Sequence, residues 1–125
     1  MVARKLAWCD RNRIGAEGED IAAQFLTNEK RYPILERNYR FRHGEVDIIA
    51  LDDPVTVFVE VRTRQKGALV SGYFSVSKEK KRALRPVCWH YIRAHQLTFY
   101  RFDIIDIEHD QGDWELHHYE NVPFF

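Results

Sequence analysis

Thirty residues in the first half of the chain hold three strand-like runs separated only by turn signals, and nothing else in the sequence constrains the fold as much. ILERNYRF (34–41) is bounded by Pro33 and by His43-Gly44, and GEVDIIAL (44–51) by Asp52-Asp53-Pro54. VTVFVEVRT (55–63) is the strongest of the three, rich in β-branched and aromatic residues. Turns this short leave no room for a crossover, so the three strands are expected to be antiparallel neighbours.

The flanking segments supply cover for such a sheet. Residues 16–29 read as a helix in which Ile21, Ala22, Phe25 and Leu26 form one apolar stripe, broken by Asn28 to Pro33. Ser77 is placed to cap a second helix running to about residue 95, with Leu84, Cys88, Tyr91 and Ile92 on its buried side. Pro86 lies inside that pattern and is expected to kink or interrupt it. Residues 64–74 read as a loop, LTFYRFDIIDI (97–107) and DWELHHY (113–119) as two further strands, and residues 1–13 as an irregular arm. A strand, a helix and a strand in succession (55–63, 77–95, 97–107) suggest one parallel crossover. The expected class is α/β, a mixed β-sheet flanked by helices in the order α-β-β-β-α-β-β, in a single domain spanning 1–125.

The chain has 125 residues, enough to build one core without disulfides or structural metals. Cys9 and Cys88 have no second cysteine at zinc-ligand spacing and read as free thiols in a reducing compartment. The opening MVARKLAWCDRNR has no apolar run and does not read as a secretory signal. No stretch approaches the ~20 apolar residues of a membrane helix, so a soluble cytoplasmic protein without a membrane partner is expected. Net charge is formally zero, but its distribution is not even. All 19 Lys and Arg lie in residues 1–102 with 12 acids, a +7 excess, whereas the last 23 residues hold seven acids and no Lys or Arg. That asymmetry points either to a basic face for nucleic acid or to an acidic tail that folds back and neutralises the rest.

Chemistry is concentrated in Glu45, Asp47, Glu60 and Arg62. Strand residues two apart share a face, so Glu45 goes with Asp47 and Glu60 with Arg62. Asp47 precedes Ile48-Ile49-Ala50, and Glu60 lies among Phe58, Val59 and Val61. Carboxylates are rarely set into such apolar strands unless their charge is compensated. A hard divalent cation is one compensator, and a salt bridge from Arg62 is the other.

GAEGEDIAAQFL, RNYRFRHGEVDIIA, VFVEVRTR, SVSKEKKRAL and RFDII together resemble the YraN family of small bacterial proteins. The combination of GE-x-D-I-I with F-V-E-V-R at this spacing carries the resemblance. That family is similar to archaeal Holliday-junction resolvases and other members of the PD-(D/E)xK, restriction-endonuclease-like superfamily. The resemblance implies an α-β-β-β-α-β core, a DNA partner, Mg²⁺ or Mn²⁺ as cofactor, and a phosphodiester-cleaving site. It assigns the metal to Asp47 and Glu60, with Glu19 on the first helix in support and Glu17 as the competing position. Arg62 stands where the superfamily usually has lysine. Lysine can lower its pKa and assist an attacking water, whereas arginine stays protonated and is a poor general base. Arg62 therefore fits charge stabilisation, and a non-catalytic nucleic-acid-binding module of the same fold is the alternative. Resolvases act as dimers, so the resemblance also raises a homodimer, for which no surface is legible in the sequence.

Lys78, Lys80, Lys81, Arg82 and Arg85 form a basic run at the start of the second helix, suited to phosphate contacts or to a solvated helix face. Arg40, Arg42 and His43 sit at the turn leading into Glu45 and Asp47 and are further candidates for gripping phosphate. His117 and His118 are adjacent and would point to opposite sides of a strand, which disfavours a metal pair. Trp8, Trp89 and Trp114 read as core or rim aromatics.

Overall fold

In a computed structural model, residues 2–7, 14–67 and 76–125 are described, with side chains from residue 17 onward. The elements are β1 (Val2–Ala7), α1 (Ile14–Asn28), β2 (Ile34–Phe41), β3 (Gly44–Asp52), β4 (Val55–Gln65), α2 (Lys78–His95), β5 (Tyr100–Asp110) and β6 (Asp113–Tyr119). The strands form one sheet in the order β1-β6-β5-β4-β3-β2. All neighbours are antiparallel except β4 and β5, which run parallel across the α2 connection. The α/β class and the expected run of elements are therefore both present.

Both faces of the central strands are buried, which explains their continuous apolar sequences. Ala22, Phe25 and Leu26 of α1 pack with Ile48, Ala50, Val57, Val59, Ile105 and Ile107. Leu84, Val87, Cys88, Tyr91 and Ile92 of α2 pack with Ile49, Phe58, Phe102 and Ile104 on the other side. The period-2 alternation of each strand thus feeds two cores, one under each helix. Burial in the second core pushes the Cys88 thiol far above its ordinary range, as befits an inert structural cysteine. Cys9 and Trp8 lie outside the described residues. Trp114 is fully buried, and Trp89 packs edge-on against Tyr100.

Several boundaries differ from the sequence reading. Residues 2–7, expected to be irregular, add β1 to the free edge of β6 from the opposite end of the chain, with Val2 opposite His118. Residues 64 and 65 extend β4 instead of opening the loop, because β5 continues beside them and pairs Arg64 with Glu108 and Gln65 with His109. Lys66 and Gly67 form a turn after β4, and residues 68–74 of that loop lie outside the described residues. Leu97 to Phe99 do not begin β5. Gln96 takes a left-handed conformation that ends α2, and Leu97 donates back to the Ile92 carbonyl at 3.0 Å.

Pro86 does not interrupt α2, which runs through it. The proline is exposed, so the carbonyl deprived of a helical donor faces water, while the opposite side of the helix is anchored in the core. Ser77 is the N-cap as expected, its hydroxyl accepting the Lys80 N–H at 3.2 Å. Among the described residues no helix is long and apolar enough to cross a membrane.

Candidate active site

The cleft arises where the pairing of β3 with β4 stops. Their ladder runs from Asp52–Val55 to Ile48–Val59 and goes no further. Past that point the Val61 N–H donates to the Asp47 Oδ2 at 2.8 Å, so a side-chain carboxylate takes the place of a ladder carbonyl. The alternation of faces also changes here, since Val46 packs with the α2 core and Ile48 with the α1 core. Asp47 consequently projects at the fork, next to Glu60 and Val61.

Two glycines let the helices close on this fork. A Cβ on Gly18 of α1 would collide with the Thr63 hydroxyl of β4. A Cβ on Gly44, at the start of β3, would collide with the Ala83 carbonyl of α2. Only glycine tolerates such approach. The first contact sets Glu19 beside the fork, where the Asn38 amide donates to its Oε1 at 3.0 Å. The second seats the first turns of α2 against the β2–β3 turn and brings Lys80 over Glu60.

The result is a cleft of about 410 Å³ lined by Glu19, Glu45, Asp47, Glu60, Arg62 and Lys80, with His43 at its mouth. Glu60 is only 6% exposed, and each of its oxygens meets a different cation. Lys80 Nζ lies 3.0 Å from Oε1 and Arg62 Nε donates to Oε2 at 3.2 Å. Desolvation by burial pushes the Asp47 carboxyl up to about 6, and the charges of Glu19 and Glu60 push the same way, against the Val61 hydrogen bond and Lys80. Of the two helix acids weighed from sequence, Glu19 lines the cleft, while Glu17 is buried and is not among the lining residues.

Of the other candidates, Arg40, Arg42, Lys78, Lys81, Arg82 and Arg85 do not line the cleft. Arg40 pairs with Glu45 at 3.4 Å, and Arg42 lies over the Phe41 ring, which in turn stacks on His90. Arg85 donates to the Phe124 carbonyl. Arg42, Lys78, Lys81 and Arg82 have no ion pair with an acid among the described residues. Lys80, placed from sequence with the phosphate-contacting run, instead reaches into the cleft. The Ser77 cap is readable from sequence, but the seat provided by Gly44 is not.

The acidic C-terminal segment folds back on the sheet's own cations. Asp106 and Glu108 pair with Arg64, Asp110 with Lys66, and Asp103 and Glu120 with Arg101. These pairs engage Arg64, Lys66 and Arg101 and leave the cations of α2 untouched.

A divalent metal fits the donor chemistry of the cleft. Its acids are oxygen ligands, Glu60 is buried, and Asp47 is raised chiefly by burial and further by the charges of Glu19 and Glu60, so a cation there would compensate it. Among the described residues, three ligand atoms come within 4.8 Å of one another in a different group, Asp103, His118 and Glu120. That group already has its cation. Arg101 grips both oxygens of Asp103 and reaches Glu120 and Asp52, while His118 Nε2 lies 2.8 Å from Asp103. Burial acts to raise Asp103, but the hydrogen bonds from His118 and Arg101 outweigh it and hold the carboxyl below its usual range. His117 lies on the other side of β6, against Glu115.

The model of the uncharacterised protein family UPF0102 matches residues 18–107, which takes in Glu19, Asp47, Glu60, Arg62 and Lys80. The chain belongs to the UPF0102 family. This is the YraN family that the motifs resembled. A UPF0102 protein of Alkaliphilus oremlandii is 38% identical over 114 residues, covering 88% of this chain and 97% of the relative. One from Carboxydothermus hydrogenoformans is 36% identical over 118 residues, 93% of this chain and 99% of the relative. One from Chlorobium chlorochromatii is 44% identical over 102 residues, 75% of this chain and 73% of the relative. UPF0102 relatives thus extend over both helices and the central strands that carry the cleft.

Proposed function

We propose that this UPF0102 protein is a metal-dependent phosphodiesterase acting on DNA, with branched or structured DNA as its substrate class. One observation carries the reading: Glu19, Asp47 and Glu60, from three different elements, meet Arg62 and Lys80 in one cleft. Such a site offers anionic oxygens for a cation and cations for a phosphate, the two kinds of contact that phosphodiester hydrolysis needs. Asp47 and Glu60 would hold Mg²⁺ or Mn²⁺, with Glu19 in support. Bound there, the ion supplies a Lewis acid for the phosphate and a more acidic water. Val61 fixes the Asp47 carboxylate through its N–H. Arg62, permanently charged, binds phosphate oxygen and stabilises developing charge without removing a proton. Arg42, Lys78, Lys81 and Arg82, outside the cleft itself, would provide sequence-independent affinity for the backbone.

The test is incubation of linear, forked and four-way-junction DNA with Mg²⁺ and with Mn²⁺. The parent is expected to cut at least one substrate, and Asp47→Asn and Glu60→Gln to lose about a hundredfold or more of that rate while still binding DNA. A second reading, a binding module that does not cut, is favoured by the charge balance of Glu60, whose two oxygens already face Lys80 and Arg62. DNA binding without cleavage of any substrate in either metal would establish that reading instead.

A further inference from the structure

Lys80 differs from the other cations at the start of α2. Within the run 78–82 it is the one with an ion pair to an acid among the described residues, and that acid is Glu60. Its place is set twice, by the Ser77 hydroxyl on its own N–H and by the close seat of α2 on Gly44. The two partners have unequal freedom. The Lys80 side chain is 53% exposed and the Glu60 side chain 7%. Glu60 is locked in the sheet among apolar neighbours, whereas the ammonium can swing into solvent on its flexible stem.

We infer that Lys80 is the counter-ion of the metal-free site, holding Glu60 until a divalent cation takes that carboxylate and then being released to the substrate phosphate. This rests on the reading of the cleft as a metal site. A dication and an ammonium cannot share one buried carboxylate oxygen without strong repulsion. Of the groups on Glu60, Lys80 is the more exposed; the Arg62 side chain is 27% exposed. Lys80 is therefore the partner that leaves. Once displaced it stays at the cleft, tethered to the first turn of α2. Metal binding thereby adds one positive contact for DNA as well as its own charge. Lys80 is a positioning residue for the empty site and a phosphate ligand for the loaded one.

The sign of one measurement separates this from a static salt bridge. Mn²⁺ affinity is measured by calorimetry for the parent, Lys80→Met, which keeps the stem and loses the charge, and Lys80→Arg, which keeps a charge. Lys80→Met is expected to bind Mn²⁺ on the order of fivefold tighter than the parent, and Lys80→Arg no tighter than the parent. DNA affinity is then titrated against salt with and without Mn²⁺. Parent and Lys80→Met should show equal slopes without metal. With metal, the parent slope should exceed that of Lys80→Met by about 0.9, the increment for one neutralised phosphate. If the parent binds Mn²⁺ and Lys80→Met binds it equally or more weakly, or if the slopes differ equally in both conditions, the displacement idea is overturned and the metal reading survives. If neither protein binds Mn²⁺, both fall, and the Lys80–Glu60 pair is an internal salt bridge.

Discussion

The Asp47 carboxylate accepts the backbone N–H of Val61, the residue next to Glu60, at 2.8 Å. One hydrogen bond therefore ties the two principal acids of the cleft together across the fork where β3 and β4 part. It also places Asp47 where burial and two neighbouring carboxylates work against its ionisation.

A stability prediction follows from that raised carboxyl. Its ordinary value is 3.8 and its folded value about 6, so the folded protein holds this proton more tightly than the unfolded chain. The stabilisation is full below about 4 and is lost as pH rises to about 6. Above that, metal-free protein carries an ionised Asp47 at a penalty of about 2–3 kcal/mol or less, since solvent reaches the cleft. Asp47→Asn removes the titration while keeping an oxygen for Val61. In chelator, its stability relative to the parent should increase between pH 4 and 6 and then level off, as followed by urea unfolding. A difference that stays constant across this range would show that Asp47 does not bear the penalty.

Gly44→Ala tests whether the α2 seat matters to the site. The added methyl meets the Ala83 carbonyl oxygen and, at 2.6 Å, the Val87 side chain. The first obstacle is backbone and cannot rotate away, so α2 must lift. We expect destabilisation of about 1–3 kcal/mol. Because Lys80 rides on that turn, the variant should also lose the metal-dependent change in DNA salt slope. Unfolding midpoints and DNA titrations report the two effects separately, and an unchanged midpoint would mean the turn yields instead.

Where pattern and site agree with the sequence, the cause is local. GEVDIIA and VFVEVRT announce strands because their alternation feeds two cores, and the acids interrupting them stand out against Ile48, Val59 and Val61. Asp47 and Glu60 are legible for that reason, and Glu19 through the family resemblance of its helix. What escaped depends on distant partners. β1 exists only because β6, from the other end of the chain, offers an edge. Leu97 and Phe99 look like strand residues, but the left-handed cap at Gln96 decides their path. Lys80 could not be told from Lys78 or Lys81, because which first-turn lysine meets the fork depends on how closely α2 approaches Gly44.

The α2 cations outside the cleft, Lys78, Lys81 and Arg82, predict salt-dependent DNA binding on the proposed reading. A Lys78→Glu/Lys81→Glu/Arg82→Glu variant leaves Lys80 in place and should preserve α2, since acids near a helix N-terminus are favoured by its dipole. DNA affinity should drop, and the log–log salt slope should become shallower by about 2–3, near 0.9 for each phosphate no longer neutralised. Fluorescence anisotropy with a short duplex at several salt concentrations gives both numbers. Unaltered affinity would reduce these residues to a solvated face.

On the proposed function, Arg62 bears on how the cleft would act on a phosphodiester. Its Nε donates to the Glu60 Oε2 at 3.2 Å, on the strand position where lysine is usual in the superfamily the sequence resembles. A guanidinium stays charged at any working pH, so under the proposed function its part would be to bind phosphate and stabilise transition-state charge. Arg62→Ala should therefore lose DNA affinity and cleavage together. It also leaves Glu60 with one cation fewer, and Mn²⁺ should bind no more weakly than to the parent. Arg62→Lys keeps a cation beside Glu60, and cleavage should persist or rise. Single-turnover cleavage of junction and linear DNA across pH, beside Mn²⁺ calorimetry, reads both effects. If Arg62→Ala cuts as fast as the parent, phosphate stabilisation is supplied elsewhere in the cleft and Arg62 serves only to hold Glu60 in place.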